Sequence, residues 1–377
     1  MPVTEPQFGD FPKPLAGEPY GYLFKGKLQG CTREELIHRC ASRNFRQVQL
    51  VWTPESRELV PVTEVPFLFE ASLSALRFRT RMSLLIAIAI TAILGAVAKS
   101  AWHEQRSFSL LIMVALLLVG IVPALRNIRT LRDLAGITPE DFDHSLHLSR
   151  SAIWVASQNT IGTKLLAAGM ILVALIQLRV GMETSVEAAA LIKPLVRAGE
   201  RFRLFTCVWL HGGLLHFAFN FMALLNIGRM VEALGNRALV LIVFAVAASA
   251  GSLFSLRLMP GATSVGASGG ILGLIGFLAV LGQRRRGLLP SGFARAIWIN
   301  IGFIAALGLA AFQMVDNAAH FGGLLGGVLC GLAFIPAREK KLPIAVTPVS
   351  NALGWISLGL IVASVAVTVE KILRYRL

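Results

Sequence analysis

Apolar runs long enough to cross hydrocarbon recur along most of this chain, and no other feature limits its fold so severely. Inside a bilayer every backbone amide and carbonyl must be bonded within the protein, so runs of about 20 apolar residues fold as helices. Such runs cover Met82 to Ala98, Phe108 to Leu125 and 162–181. They then follow closely near 211–233, 238–256, 265–283, 296–315, 317–336 and 352–369. With 55% hydrophobic and only 15% charged residues, the chain is predicted to be an all-α polytopic membrane protein.

The net charge of +15 would suggest nucleic acid on a soluble protein, but here the basic residues crowd at the ends of the apolar runs. That pattern fits orientation in, and contact with, the lipid bilayer. No motif with interleaved aromatics points to nucleic acid, so no nucleic-acid partner is expected. The clusters RFRTR (77–81), RNIRTLR (126–132), GQRRRG (282–287) and AREKK (337–341) share one side if the N-terminus is cytoplasmic. EKILRYRL at the C-terminus then lies outside, against the rule, which makes the last span the weakest assignment. Cys31, Cys40, Cys207 and Cys330 form no CxxC and read as free or buried thiols. MPVTEPQFGDFPKP lacks the basic start and apolar core of a signal peptide, so targeting is expected from the spans themselves.

Residues 1–80 read as a small soluble α+β domain on the cytoplasmic side. TREELIHRCASR (32–43) has helical spacing behind a Thr cap, and QVQLVW (47–52) and LVPVTEVPF (59–67) read as strands. Residues 81–161 read as a transmembrane hairpin and polar linker, 162–336 as the membrane core, and 337–377 as a cytoplasmic loop with one further span. Residues 182–210 are amphipathic and are predicted to lie in the membrane interface rather than cross.

Polar side chains inside spans are costly and default to functional hypotheses. In 204–336 they are His211, His216, Asn220, Asn226, Ser264, Ser268, Asn300, Asp316, Asn317 and His320. HGGLLHFAFN puts His216 and Asn220 four apart on one helical face. TSVGASGGILG puts Ser268 at a helix N-terminus, where free backbone N–H groups and the dipole favour negative charge. AHFGGLLGG puts His320 on the same face as Gly323 and Gly327, and Gly269 and Gly273 offer a matching smooth face on the serine helix. Close approach of these faces would bring Ser268 within reach of His320. Histidine can take the serine proton, and the Ser268 N–H, His216 and Asn220 can meet the oxyanion that follows. No acidic residue stands ready to orient His320, so a dyad is expected, with Asp316 and Asn317 as helix caps.

HGGLLHFAFN, GASGG and VDNAAHFGGLLGG, in that order, resemble the motifs of the rhomboid family of intramembrane serine proteases. The resemblance covers about 162–336 and implies a six-helix core, with the final span as a six-plus-one addition. It implies Ser268 as nucleophile, His320 as general base and His216 with Asn220 at the oxyanion. It implies a more structural place for His211, and near-site packing roles for Gly266, Gly269, Gly323 and Gly327. GERFR (199–203) is similar to the family's interfacial-loop motif, with Phe202 where tryptophan is usual, followed by Arg203. Leu272 stands where the family usually has an aromatic residue under the histidine. The implied activity is a serine endopeptidase that cleaves transmembrane segments of other membrane proteins, in a bacterial cytoplasmic (inner) membrane.

Rival readings exist. Ser268 alone would be a packing residue, and rhomboid-like proteins without activity bind transmembrane clients. A transporter would need a polar path across the bilayer, whereas these polar residues gather in one leaflet. For metal binding, HEQRS at His103 lacks the second histidine of HExxH. His144 and His147, near Asp141 and Asp143, fall in the polar linker. No metal and no cofactor are expected.

Overall fold

The computed structural model describes residues 13–24, 27–41, 50–56, 58–62, 65–101, 120–136, 155, 158–289, 292–312, 315–337 and 341–375. The chain divides into one unit over Asp10–Gln158 and another that holds Asn159–Leu377.

In the first unit, β1 (Tyr20–Phe24), β2 (Lys27–Cys31), β3 (Leu50–Trp52) and β4 (Val60–Pro61) form an antiparallel sheet of order β2-β1-β3-β4. Helix α1 (Arg33–Ala41) starts where the Thr32 hydroxyl accepts the Glu35 N–H at 3.1 Å. The β1–β2 hairpin has no clear sequence signal, because Gly21 and Gly30 dilute the strand pattern. Gly21 is required there: the Trp52 ring occupies the space of any Cβ, and its indole N–H is bonded to the Glu18 carbonyl at 2.9 Å.

Helix α2 (Phe69–Ala101) belongs to both halves of this unit. Its Ala71 and Ala75 share a core with Tyr22, Leu36, Cys40 and Val51, while farther along Leu85, Ile86 and Ile88 are exposed. The division expected at 80/81 therefore falls inside one continuous helix. Helix α3 (Val122–Asp133) also continues past the apolar run, into residues read from sequence as linker. One polar residue faces α2, with Asn127 donating to Ser83 at 3.0 Å, and Arg77 of α2 donates to the Leu134 carbonyl at its end at 2.6 Å. Arg126, Arg129 and Arg132 are exposed. Most of the expected 108–125 span, His103 with the rest of HEQRS, and His144 with His147 lie outside the described residues.

The second unit contains α4 (Ile161–Val180), α5 (Met182–Ala189), β5 (Leu191–Ile192) and α6 (Lys193–Arg197). These are followed by α7 (Leu214–Leu234), α8 (Arg237–Leu258), β6 (Thr263–Ser264) and α9 (Ser268–Arg284). The last three are α10 (Phe293–Ala310), α11 (Asn317–Phe334) and α12 (Pro348–Tyr375). Among the described residues, α2, α4, α7, α8, α10, α11 and α12 are long and apolar enough to cross a membrane. The protein is thus an integral multi-pass membrane protein with a helical core and a small N-terminal sheet.

Helix α9 differs from the others. Every residue from Gly269 to Gly282 is buried, so it runs through the centre of the bundle. Its 17 residues reach about 25 Å, short of the roughly 30 Å of hydrocarbon.

Buried polar bonds set the arrangement of the surrounding helices. Glu232 of α7 accepts the N–H groups of Gly162 and Thr163 and the Thr163 hydroxyl, each at 2.8 Å. A carboxylate at the N-terminus of α4 satisfies orphan donors and opposes the helix dipole. Helix α12, the least secure span by the charge rule, docks firmly: the Trp209 indole donates to Ser364 at 2.8 Å, and Ser364 donates to the Phe205 carbonyl at 3.0 Å.

Candidate active site

Short strands β5 and β6 pair with Leu191 opposite Ser264, which fixes the segment that leads into α9. The chain then bends at Gly266, whose φ of +123° is disfavoured for any residue with a Cβ. The Gly266 N–H is held by the Cys207 carbonyl at 2.9 Å. Ser268 follows as the first residue of α9.

His320 lies in the first turn of α11. Its N–H is bonded to the Asp316 carbonyl at 3.0 Å, and the Asp316 carboxylate caps the helix by accepting the Ala319 N–H at 2.9 Å. The Nε2 of His320 is 2.9 Å from the Oγ of Ser268. Backbone contact between α9 and α11 makes this possible. A Cβ on Gly323 would overlap the Gly269 carbonyl, and one on Gly327 would overlap the Gly273 carbonyl. On the same side, a Cβ on Gly251 of α8 would stand 2.8 Å from the Ala319 carbonyl.

His216 approaches from α7. Its Nδ1 accepts the Gly212 N–H at 3.3 Å, so in the neutral ring the proton sits on Nε2. That edge faces Gly266, where an added Cβ would be 2.9 Å from Nε2 and 3.9 Å from the Ser268 hydroxyl. Asn220, one turn further along α7, uses one amide hydrogen on the His216 carbonyl at 2.9 Å, which leaves its second donor available.

His211 lies behind His216. Gln177 grips its backbone at both ends, accepting the His211 N–H at 3.0 Å and donating to its carbonyl at 3.2 Å. Its ring stands edge-on to His216 and to Phe217, each with centroids 5.3 Å away. Burial, with a smaller contribution from His216, pushes its pKa down to about 3. The imidazole is therefore neutral and serves as packing for His216.

Between α6 and α7, Arg203 is buried and donates to Glu200 at 2.6 Å, to the Glu187 carbonyl at 2.9 Å and to the Ala190 carbonyl at 3.0 Å. It thereby satisfies carbonyls at the C-terminal end of α5. Two cations approach the Phe202 ring, with Lys371 Nζ 4.5 Å and Arg203 Cζ 5.3 Å from its centroid. Leu272 is buried in α9, and among the described residues no aromatic ring packs on His320.

The structure thus gathers Ser268, His320, His216, Gly266 and Gly269 at one place, with Asn220 one turn along α7 from His216. Asn226 and Asn300 face outward, and Asn317 bonds the Gly308 carbonyl at 2.9 Å. A cavity of about 30 Å³, lined by Cys207, Ser252, Ser264, Gly266, Ser268 and Asp316 among others, adjoins the serine. That is room for about two waters among polar groups. Sequence reasoning missed Gln177, Lys193, Glu232 and Ser255, all buried and polar. For Lys193 and Glu232 the one available signal is a charge within an apolar stretch.

Residues 198–337 match the family model of the Rhomboid domain. The chain carries a rhomboid domain. The rhomboid protease GluP of Bacillus subtilis (strain 168) is 35% identical over 185 residues, 47% of this chain and 36% of that protein. RHOMBOID-like protein 1 of Arabidopsis thaliana is 34% identical over 146 residues, 38% of this chain and 37% of its own length. Rhomboid-like protease 5 of Toxoplasma gondii is 32% identical over 140 residues, 36% of this chain and 16% of its own. The chain spans about a third of the length of the first two of these relatives. The matched stretch begins just after α6 and ends just after α11, so it encloses His211, His216, Asn220, Gly266, Ser268 and His320, whereas Gln177, Leu191 and Lys193 precede it.

Proposed function

We propose that this rhomboid protein is an intramembrane serine endopeptidase that cleaves transmembrane segments of other membrane proteins. The observation that carries this reading is the 2.9 Å contact between His320 Nε2 and Ser268 Oγ at the N-terminus of α9. His320 accepts the Ser268 proton as Oγ adds to the scissile carbonyl. The resulting oxyanion is met by the Ser268 N–H, the His216 Nε2–H and the free Asn220 amide hydrogen. The tetrahedral adduct expels the amine, which takes the proton from His320, and leaves an acyl ester on Ser268. Water then adds to the ester with His320 again as base, releasing the carboxylate and restoring the hydroxyl. The protein's own residues complete the cycle without a cofactor.

The protease core on this reading is 162–336, with 1–80 on the cytoplasmic side of a bacterial inner membrane and Ser268 opening towards the outer face. Substrates are helices that unwind easily near that face, with a small residue before the cleaved bond.

The test is fluorophosphonate labelling of the solubilised protein alongside cleavage of a model transmembrane substrate. Wild type is expected to label and cleave, and Ser268→Ala or His320→Ala to abolish both. Labelling that persists in Ser268→Ala would remove Ser268 as nucleophile. A folded wild type that neither labels nor cleaves would favour client binding without proteolysis.

A further inference from the structure

Beneath the candidate dyad lies a second polar pair that repeats its spacing. Ser264 stands four residues before Ser268, and Asp316 stands four residues before His320. The Ser264 hydroxyl donates to the Asp316 carboxylate, as the Ser268 hydroxyl meets His320. Ser255 of α8 donates to the same carboxylate oxygen and lies 3.2 Å from Ser264. Lys193, fully buried at the start of α6, completes the group with its Nζ 2.5 Å from the Ser264 hydroxyl and 3.9 Å from Asp316.

Four elements meet here. Lys193 brings the interfacial segment, Ser264 the strand before the serine, Ser255 helix α8, and Asp316 the start of the histidine helix. A lysine is rarely buried without a counter-charge, because desolvating an ammonium costs far more than packing returns. Burial pushes the Lys193 pKa below the ordinary lysine range, and the Asp316 carboxylate opposes that shift. The two oxygens of Asp316 have separate tasks: one caps α11 through Ala319, and the other receives the two hydroxyls.

We infer that Lys193 and Asp316 are positioning residues for the Ser268–His320 pair. Together they fix the height of β6 against the first turn of α11. Loss of either charge leaves the other buried and unpaired, which moves Ser264 or the cap, and with it one member of the dyad. Displacement of reacting groups by about 1 Å costs on the order of 100-fold in rate. The pair touches no reacting atom and acts only by placing Ser268 and His320, so kcat carries the loss and KM does not.

This inference rests on the protease reading. Its test measures kcat and KM for a model transmembrane substrate, and the rate of fluorophosphonate labelling, each normalised to folded protein. The proteins compared are wild type, Lys193→Met, Asp316→Asn and the double variant. Asparagine keeps the capping oxygen but puts an amide donor where the two hydroxyls found an acceptor. Ser255 and Ser264 can turn to accept from it, so Asp316→Asn keeps the cap and removes the charge. Each single variant is expected to lose at least tenfold in kcat and labelling rate, with KM within twofold. The double variant, with neither charge left unpaired, is expected to recover to within about threefold of wild type. Wild-type kcat in the folded fraction of both single variants would overturn the inference, as would losses confined to KM or a double variant no better than the singles. If wild type itself neither labels nor cleaves, the protease reading and this inference fall together.

Discussion

Gly327 faces the carbonyl oxygen of Gly273 so closely that a methyl group on its Cα would occupy the oxygen's place. The obstacle is backbone on a second helix, which cannot rotate away as a side chain can. Gly327→Ala is expected to destabilise the protein by about 2–4 kcal/mol and to separate α9 from α11, beyond the usual 1–3 kcal/mol of overpacking. Gly302 and Gly359, also helical, have nothing within 4 Å of a Cβ and serve as controls. Alanine there should be neutral or stabilising by about 0.5–1 kcal/mol. Unfolding in mixed micelles measures the contrast, and equal losses at Gly327 and Gly302 would refute the packing argument.

Gly266 serves two demands at once, its φ of +123° and the His216 ring 2.9 Å from any Cβ. Gly266→Ala is expected to displace His216 and lower kcat by about 100-fold, as loss of an oxyanion donor does. Backbone strain adds about 1–3 kcal/mol of instability. In a double-mutant cycle, Gly266→Ala should cost little further activity once His216→Ala is present. Additive losses would mean the glycine acts by another route.

Glu232→Ala would leave the buried amides of Gly162 and Thr163 without their acceptor. At about 1–3 kcal/mol for each unsatisfied donor, a loss of about 2–5 kcal/mol is expected. Glu232→Gln keeps one acceptor oxygen and should lose about half as much. Thr163→Val should cost about 1 kcal/mol in the native background and under about 0.5 kcal/mol once Glu232 is alanine, because the hydroxyl's partner is already gone. Chemical unfolding of the four variants gives these differences directly.

Acid should weaken the fold through His211. With its pKa held at about 3 against an ordinary 6.5, the folded site refuses a proton that the unfolded chain accepts anywhere between those values. Its contribution is complete above about pH 6.5 and is lost as pH falls towards 3, at about 1.4 kcal/mol per pH unit. His211→Gln is expected to lower stability at neutral pH, because packing against His216 is lost, yet to flatten the slope in this window. A slope unchanged by the substitution would assign the acid sensitivity to other groups.

The candidate site was largely legible in the sequence because its members sit in local patterns. His216 and Asn220 share a face by being four apart, Ser268 opens an apolar run after Gly266, and His320 shares its face with Gly323 and Gly327. The glycine faces even announced which two helices would touch. The N-terminal hairpin was not legible, since Gly21 is explained only by Trp52, which arrives from another strand. The helical continuation of α3 past Leu125 was not legible, because Asn127 and the carbonyl of Leu134 find their partners on α2, far away in the chain.

What the sequence by itself determined is most of the described spans and the identity of the residues that meet at Ser268, since apolar length and helical spacing are local properties of the chain. What only the tertiary structure decided is which buried polar groups answer one another: Gln177 with the His211 backbone, Glu232 with Gly162 and Thr163, and Lys193 with Asp316. Those partners lie on different elements far apart in the chain, and a polar group taken out of water can be satisfied by any donor or acceptor that docking brings within about 3 Å. The choice of partner is thus made by how the helices pack.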